Sequence, residues 1–364
     1  MKTIQNQLAL VQNRPSGFDY LRLTLAIAII VWHSNLVSHG YSAEGAFWSS
    51  AWRPLPFFLV PSFFALSGFL VASSLERNEL FVFVLHRVVR IYPALVLEVV
   101  LSALILGPLI TELPLASYFS DPLFWKYWLN VPGFIQYELP GVFTTNPLPN
   151  TVNLQLWTIP FELKCYALIT GLSLFRIHRA PRMMAALLVF AMIFMATSYL
   201  WRGFEPVTSR PPGSIVVLAF LFGANIYFLR ELIPFNRYAF GVSAVLFWGL
   251  SSYSETQMLS TLPVAYVTVY LGLLNPRHTQ FSRMADYSYG IYLYGFPVQQ
   301  AVAYLFPGTR EWYLNSAFSI LPAIALGALS WHLVEVKILE KRRSITQACL
   351  EVRDRARLLV RKTS

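Results

Sequence analysis

Charged residues are scarce in this 364-residue chain. Only 13% of its residues are Asp, Glu, Lys or Arg, whereas 56% are hydrophobic and 16% are aromatic. Soluble domains carry about 25% charged residues, so this chain has too few charged side chains to cover a surface that faces water. The composition excludes a disordered, a fibrous and an ordinary cytosolic protein. It predicts a polytopic membrane protein.

The sequence also lacks the signatures of several common sites. Two cysteines, Cys165 and Cys349, are too few for a disulfide framework, and the six histidines do not show metal-ligand spacing. There is no P-loop and no glycine-rich dinucleotide fingerprint. The N-terminus lacks the apolar core and the cleavage site of a signal peptide. We therefore expect no metal site, and a first apolar segment that stays in the mature protein.

Ten stretches of the sequence have little or no charge. Each is long enough to cross about 30 Å of hydrocarbon as a helix, and none alternates as a membrane β-strand would. The sequence thus predicts an all-α membrane domain with about ten transmembrane helices. The stretches are 21–38, 55–75, 91–110, 154–175, 183–201, 213–229, 238–254, 257–274, 286–306 and 313–334.

The positive charges predict the orientation of these helices. If the N-terminus is inside, the inner segments hold 22 of the 28 Lys and Arg residues and the outer segments hold five, with Lys164 inside the fourth span. Cytoplasmic loops carry an excess of Lys and Arg, so both termini are expected in the cytoplasm. The net charge of +10 is then expected to face membrane lipid rather than nucleic acid.

Two segments lie outside the ten spans. The outer segment 111–153 is rich in aromatic residues, Pro and Asn, which suits either an interfacial aromatic belt or a platform that stacks on a sugar. The tail 337–364 places apolar residues among Arg and Lys at helical spacing. It predicts a basic amphipathic helix on the anionic inner leaflet, following a membrane domain that covers 1–336.

Ionisable residues within apolar spans are costly and therefore informative. His33 follows Arg22 by eleven residues, or about 16 Å along a helix, which places it past the middle of the membrane if Arg22 marks the inner boundary. An imidazole can act as a general base near neutral pH. The simpler alternative is that His33 only hydrogen-bonds a neighbouring helix.

Two other groups of charged residues have more than one interpretation. Glu162 and Lys164 in the fourth span point to different faces of a helix. Glu162 can orient His33, contact a polar acceptor, or pair with an interior arginine. Arg87 and Arg90 share a helical face just before the third apolar stretch, which suits bidentate binding of phosphate or anchoring to lipid headgroups.

Taken in order, these motifs resemble the acyltransferase 3 family of integral membrane acyltransferases. The segment FDYLRLTLAIAIIVWHSN is similar to the family's first helix, with Arg22 and His33 in its Arg, ten residues, His pattern. FFALSGFLVASSL follows, and FVLHRVVRIYPAL carries the family's R-x-x-R as Arg87 and Arg90. The resemblance covers nearly the whole chain.

The later motifs are similar but less regular. LPGVFTTNPLPNTVNLQLWTIPFELKCYAL resembles the stretch where the family usually has a Trp, then Ser or Thr, then Glu and Tyr. The corresponding residues here are Trp157, Thr158, Glu162 and Tyr166. ADYSYGIYLYGFPV resembles the SYxIYLxH pattern, but Gly295 stands where the family usually has His. That replacement argues against a role for a histidine at this point. SWHLVEVKILEKR closes the match.

The resemblance implies transfer of an acyl group, most often acetyl, from cytoplasmic acyl-CoA to a glycan hydroxyl at the outer face. Arg22, Arg87 and Arg90 would then bind the phosphates of the acyl-CoA co-substrate. His33 would act as the base or carry the acyl group transiently, and Glu162 would orient it or stabilise its charge.

Further expectations concern the acceptor and the location of the protein. Trp157 and Asn153 are expected to bind the acceptor, a lipid-linked or polymeric glycan of the bacterial surface or a secreted polysaccharide. The protein is expected as a multi-pass protein of the cell inner membrane, beside polysaccharide biosynthesis machinery. The main alternative function is a transporter or flippase of a lipid-linked glycan, which predicts paired halves with broken helices. A non-catalytic scaffold is the other alternative.

Overall fold

The computed structural model describes residues 2–12, 15–202 and 210–363. Within these ranges the regular structure is helical, and the only β-type pairing there is an isolated bridge between Thr3 and Pro234. The prediction of an all-α protein is therefore confirmed for the described part of the chain. In chain order the α-helices are α1 (Ile4–Leu10), α2 (Gly17–Trp48), α3 (Pro54–Arg77), α4 (Leu80–Leu101), α5 (Gly107–Ile110), α6 (Leu115–Ser120), α7 (Pro122–Tyr127), α8 (Ile159–Leu174), α9 (Pro181–Arg202), α10 (Gly213–Phe228), α11 (Arg237–Ser251), α12 (Thr261–Gly272), α13 (Gln280–Arg283), α14 (Ser288–Leu305), α15 (Trp312–Ser330), α16 (Val336–Glu340) and α17 (Arg342–Thr363).

Among the described residues, five helical stretches are long and apolar enough to cross a membrane. Two of them are built from several segments, because a π-helical turn at Ser102–Leu106 joins α4 to α5 and another at Trp331–Glu335 joins α15 to α16. These stretches make the protein a membrane protein by length and composition. They are Gly17–Trp48, Pro54–Arg77, Leu80–Ile110, Pro181–Ser198 and Trp312–Glu340.

The other five predicted spans fold as helices of 12 to 18 residues. In two of them part of the apolar segment forms a 3-10 turn, Leu154–Thr158 before α8 and Gln257–Ser260 before α12. Pro160 lies in the first turn of α8, where proline needs no backbone donor and favours the start of a helix. The 3-10 turns thus make α8 and α12 shorter than their apolar segments.

Small residues bring α3 and α10 into close contact. A Cβ atom on Gly68 would lie 1.9 Å from the carbonyl oxygen of Phe220, and one on Gly223 would lie 2.1 Å from that of Ala65. Glycine at such positions lets the backbones of membrane helices approach each other. The packing of α3 against α10 therefore has no room for a side chain at either position.

We expect Gly68→Ala to destabilise the protein, because the added methyl group meets a backbone carbonyl that cannot rotate away. Overpacking of this kind costs about 1–3 kcal/mol. The measurement is the apparent melting temperature of the detergent-solubilised protein, followed by size-exclusion chromatography. Gly241→Ala in α11 is the matched control, since a Cβ there has no neighbour within 4 Å. Equal melting temperatures for the two variants would contradict the close approach of α3 and α10.

The segment 111–153 forms a folded layer against α4 and α14. The Gln300 amide in α14 donates to the carbonyl oxygens of Leu148 and Thr151, at 2.9 and 2.7 Å, and the Asn146 amide donates to the Gln300 side chain at 2.8 Å. Burial, together with the nearby Glu98, raises the pKa of the Tyr127 phenol well above its ordinary value. Several aromatic and amide side chains of this segment are therefore used in its own packing.

The C-terminal residues form the helix α17. Arg353 lies over the ring of Phe81 in α4, with 5.2 Å between the guanidinium carbon and the ring centroid. The helical form predicted for the tail is thus observed. Its position on a lipid surface stays a prediction.

Candidate active site

Three arginines from two helices line one cavity, which we call the arginine cavity. Arg22 comes from α2, and Arg87 and Arg90 come from α4. The cavity has a volume of about 180 Å³. The sequence motifs that suggested a phosphate site thus converge in space. The polar residues that complete the lining are Ser67, Thr158, Glu162, Tyr166, Ser288, Tyr289 and Tyr292.

Arg90 is held firmly in this cavity. Its Nη1 donates to Glu335 Oε2 at 3.1 Å, and Glu335 Oε1 accepts a hydrogen bond of 2.9 Å from Ser330. The guanidinium lies 5.7 Å from the ring centroids of both Tyr289 and Trp331. The Glu335 carboxylate therefore fixes Arg90 and balances part of its charge.

Arg87 has a weaker polar contact than Arg90. Its Nη2 lies 3.4 Å from Ser74 Oγ, which is a long hydrogen bond, and its Nε has no hydrogen-bond partner among the described residues. Its guanidinium carbon is 5.8 Å from the Phe83 ring centroid and 6.0 Å from that of Tyr166. None of the ion pairs found among the described residues involves Arg87, so its charge is less balanced than that of Arg90.

Glu162 lies in the arginine cavity. Its Oε1 accepts a hydrogen bond of 2.6 Å from the Tyr166 hydroxyl, one turn further along α8. His33 lines the adjacent cavity described below. This placement favours the interpretation of Glu162 as a partner of interior arginines, and its predicted role in orienting His33 stays a prediction.

His33 lines a second cavity, the His33 cavity, with a volume of about 200 Å³. The imidazole is half-buried and meets the Phe296 ring edge-on, with 5.3 Å between the centroids. Trp157 lines the same cavity, and its ring centroid lies 5.0 Å from the guanidinium carbon of Arg210. Other aromatic or charged side chains in its lining are Trp32, Tyr41, Glu44, Trp48 and Tyr137.

The two cavities adjoin at Val60 of α3. Val60 contributes to the lining of both, and the consecutive residues Trp157 and Thr158 line the His33 cavity and the arginine cavity respectively. The predicted base and the predicted phosphate ligands therefore lie on either side of one aliphatic side chain. Helix α2 contributes to both cavities, with Arg22 in one and His33 in the other.

Asn153 lines neither cavity. It is fully buried, and its Nδ2 donates to Glu98 Oε1 and, at 3.3 Å, to the carbonyl oxygen of Leu293. In this geometry Asn153 ties the segment before α8 to α4 and α14. Its predicted contact with an acceptor gains no support from this position.

Helix packing explains why Gly295 stands where the family's pattern has a histidine. A Cβ there would lie 2.9 Å from Cγ1 of Ile30, so α14 packs closely against α2 at this position.

Sequence reasoning missed Glu44, a buried residue of the His33 cavity. Its sequence signal was its spacing from Tyr41 and Trp48, at i, i+3 and i+7.

Together, the apolar helices and the two adjoining polar cavities are those of an integral membrane enzyme. The chain belongs to the acyltransferase 3 family, described as an acyltransferase domain, whose sequence profile matches residues 16–333. The protein is therefore an acyltransferase, as the order of its motifs predicted.

Two relatives align with most of the chain. One is an O-acetyl transferase of Shigella phage Sf6, 28% identical over 90% of this chain and 97% of its own length. Another is nodulation protein 10 of Rhizobium leguminosarum bv. viciae, 26% identical over 93% of this chain and 96% of its own length. A comparison with solved structures gives no significant match.

Proposed function

We propose that this protein is an O-acyltransferase that moves an acetyl group from cytoplasmic acyl-CoA to a hydroxyl of a bacterial surface or secreted polysaccharide. The observation that carries the proposal is the meeting of the arginine cavity and the His33 cavity at Val60. The similarity to a phage O-acetyl transferase supports acetyl as the group transferred.

The arginine cavity suits the donor. Acyl-CoA carries several phosphate groups at one end and a thioester at the end of a long pantetheine arm. Arg22, Arg87 and Arg90 would bind the phosphates, since guanidinium groups bind phosphate oxygens bidentately. The eleven residues from Arg22 to His33 span about 16 Å of helix, a distance that the extended arm covers.

The His33 cavity suits the acceptor and the chemistry. His33 takes the proton of the acceptor hydroxyl while that oxygen attacks the thioester carbonyl. The carbon–sulfur bond then breaks, the oxygen ester forms, and the CoA thiolate leaves and receives the proton from His33. Trp157 would pack against the sugar ring, and Val60 marks where the thioester meets the hydroxyl.

The proposed topology supplies the two substrates from opposite sides. In it, about ten helices cross the cell inner membrane, both termini are cytoplasmic, and the tail 337–364 lies on the inner leaflet. The support is the charge distribution, with 22 of 28 Lys and Arg residues on the inner side. The arginine cavity then opens to cytoplasmic acyl-CoA, and the segment 111–153 lies near the acceptor and the polysaccharide biosynthesis machinery.

We expect deletion of the gene to remove O-acetyl ester from a surface or secreted glycan, and reintroduction of the gene to restore it. The measurement is the ester content of purified glycans by NMR, compared between the intact, deleted and complemented strains. In a second assay, membranes that contain the protein should release CoA from acetyl-CoA only when glycan from the deletion strain is added. Unchanged ester together with a block in glycan export would instead support a transporter.

A further inference from the structure

The His33 cavity contains a carboxyl group that the proposed mechanism does not use. Glu44 is only 2% exposed. Its Oε1 accepts a hydrogen bond of 3.5 Å from Trp48 Nε1, and its Oε2 is buried without a hydrogen-bond partner among the described residues. Because buried carboxyl oxygens are normally hydrogen-bonded, this oxygen is a candidate site for a group on a ligand.

The backbone of α2 directs Glu44 into this cavity. Gly40 has φ +72° and ψ −172°, which interrupts the regular helix, and such a positive φ favours glycine. Before this kink, residues from 29–36 line the cavity, and after it Tyr41, Glu44 and Trp48 line it from one helical face. Both halves of α2 therefore face the same cavity, which brings the carboxyl group and the imidazole to one space.

The surroundings of Glu44 indicate the chemical class of the ligand. The indole rings of Trp32, Trp48 and Trp157 line the cavity together with the Glu44 carboxyl group. A sugar ring presents apolar C–H groups on its faces and hydroxyl groups at its edge. Aromatic rings pack against the C–H groups, and a carboxylate oxygen accepts strong hydrogen bonds from the hydroxyl groups.

We propose that Glu44 binds the acceptor sugar, its Oε2 accepting a hydrogen bond from a hydroxyl next to the one that reacts at His33. This inference rests on the proposed function and adds a residue that selects and orients the acceptor. Glu44 exchanges no proton and forms no covalent bond in this scheme. The reacting hydroxyl gives its proton to His33, as before.

The test is steady-state transfer by the full-length protein in detergent, with radiolabelled acetyl-CoA and unacetylated glycan from the deletion strain. For Glu44→Gln we expect the KM for glycan to rise about 10-fold, because the glutamine amide is a neutral and therefore weaker hydrogen-bond acceptor than a carboxylate. The KM for acetyl-CoA should stay the same, because Glu44 does not line the arginine cavity. An unchanged KM for acetyl-CoA also shows that the variant is folded.

Glu231→Gln is the matched control. Glu231 is exposed between α10 and α11, outside the lining of both cavities and in an inner segment of the proposed topology, so both KM values should stay at the wild-type level. Wild-type KM values for both substrates in Glu44→Gln would overturn the role of Glu44 but leave the proposed function standing. An equal rise in both KM values would make Glu44 a structural residue. No transfer by the wild-type protein would refute the proposed function itself, and this inference with it.

Discussion

Replacing His33 with alanine is expected to lower acetyl transfer by at least about 100-fold, because a general base contributes about 10²- to 10⁴-fold to the rate. The same loss is expected if His33 carries the acetyl group transiently, since alanine can neither take a proton nor be acylated. His33 lines its cavity beside Val60, where donor and acceptor would meet. The measurement is kcat for acetyl transfer from acetyl-CoA to unacetylated glycan.

His39→Ala provides a control on the same helix. His39 is exposed and lies outside the lining of both cavities, so its replacement should leave kcat unchanged. His33→Ala should still bind acetyl-CoA with wild-type affinity, because the arginines lie in the other cavity. Substantial transfer by a folded His33→Ala protein would remove His33 from the mechanism.

Replacing Arg87 with alanine is expected to weaken acetyl-CoA binding about 10- to 100-fold, since a charge-assisted hydrogen bond contributes about 1.5–3 kcal/mol. Arg90→Ala should have a smaller effect, because the Glu335 carboxylate already binds the Arg90 guanidinium. The difference follows from the positive charge that each guanidinium has left unbalanced, which is larger for Arg87. It is measured as the dissociation constant of acetyl-CoA by isothermal titration calorimetry.

Arg77→Ala serves as the control for loss of positive charge. Arg77 is exposed in the last turn of α3, where its Nε donates to the carbonyl oxygen of Ser73 at 3.1 Å, and it should not change the affinity. If Arg87→Ala and Arg90→Ala both bind acetyl-CoA as tightly as the wild type, the arginine cavity is not the phosphate site. The two residues would then be anchors for the helix.

Much of the arginine cavity could be predicted from the sequence. Arg22 lies in the first membrane helix, and Arg87 and Arg90 are three residues apart, so that one face of a single helix presents both. Their convergence follows once α2 and α4 lie in the same bundle. The separation of His33 from Arg22 along α2 was equally predictable, because both lie on the regular part of one helix and the rise per residue is fixed.

The sequence could not predict the position of residues that depend on tertiary contacts. The first apolar segment ends at 38, so nothing in the hydropathy showed that the chain turns at Gly40 and carries Glu44 back beside His33. Asn153 has a polar side chain of the kind that binds sugars. Its burial beside Glu98 depends on how the segment 111–153 packs, which the sequence does not show. Which of the two cavities Glu162 lines depends on the rotation of α8 about its own axis. The sequence of α8 has no distinct apolar face, so it does not reveal this rotation.

The position of Val60 between the two cavities also concerns the permeability of the membrane. In the proposed orientation the arginine cavity faces the cytoplasm and the His33 cavity faces the outside, and the Val60 side chain lines both. Valine has a stiff, apolar side chain, and apolar constrictions exclude hydrated ions by dewetting. A small aliphatic residue would thus let an acyl group pass between two compartments while the proton gradient across the membrane is preserved.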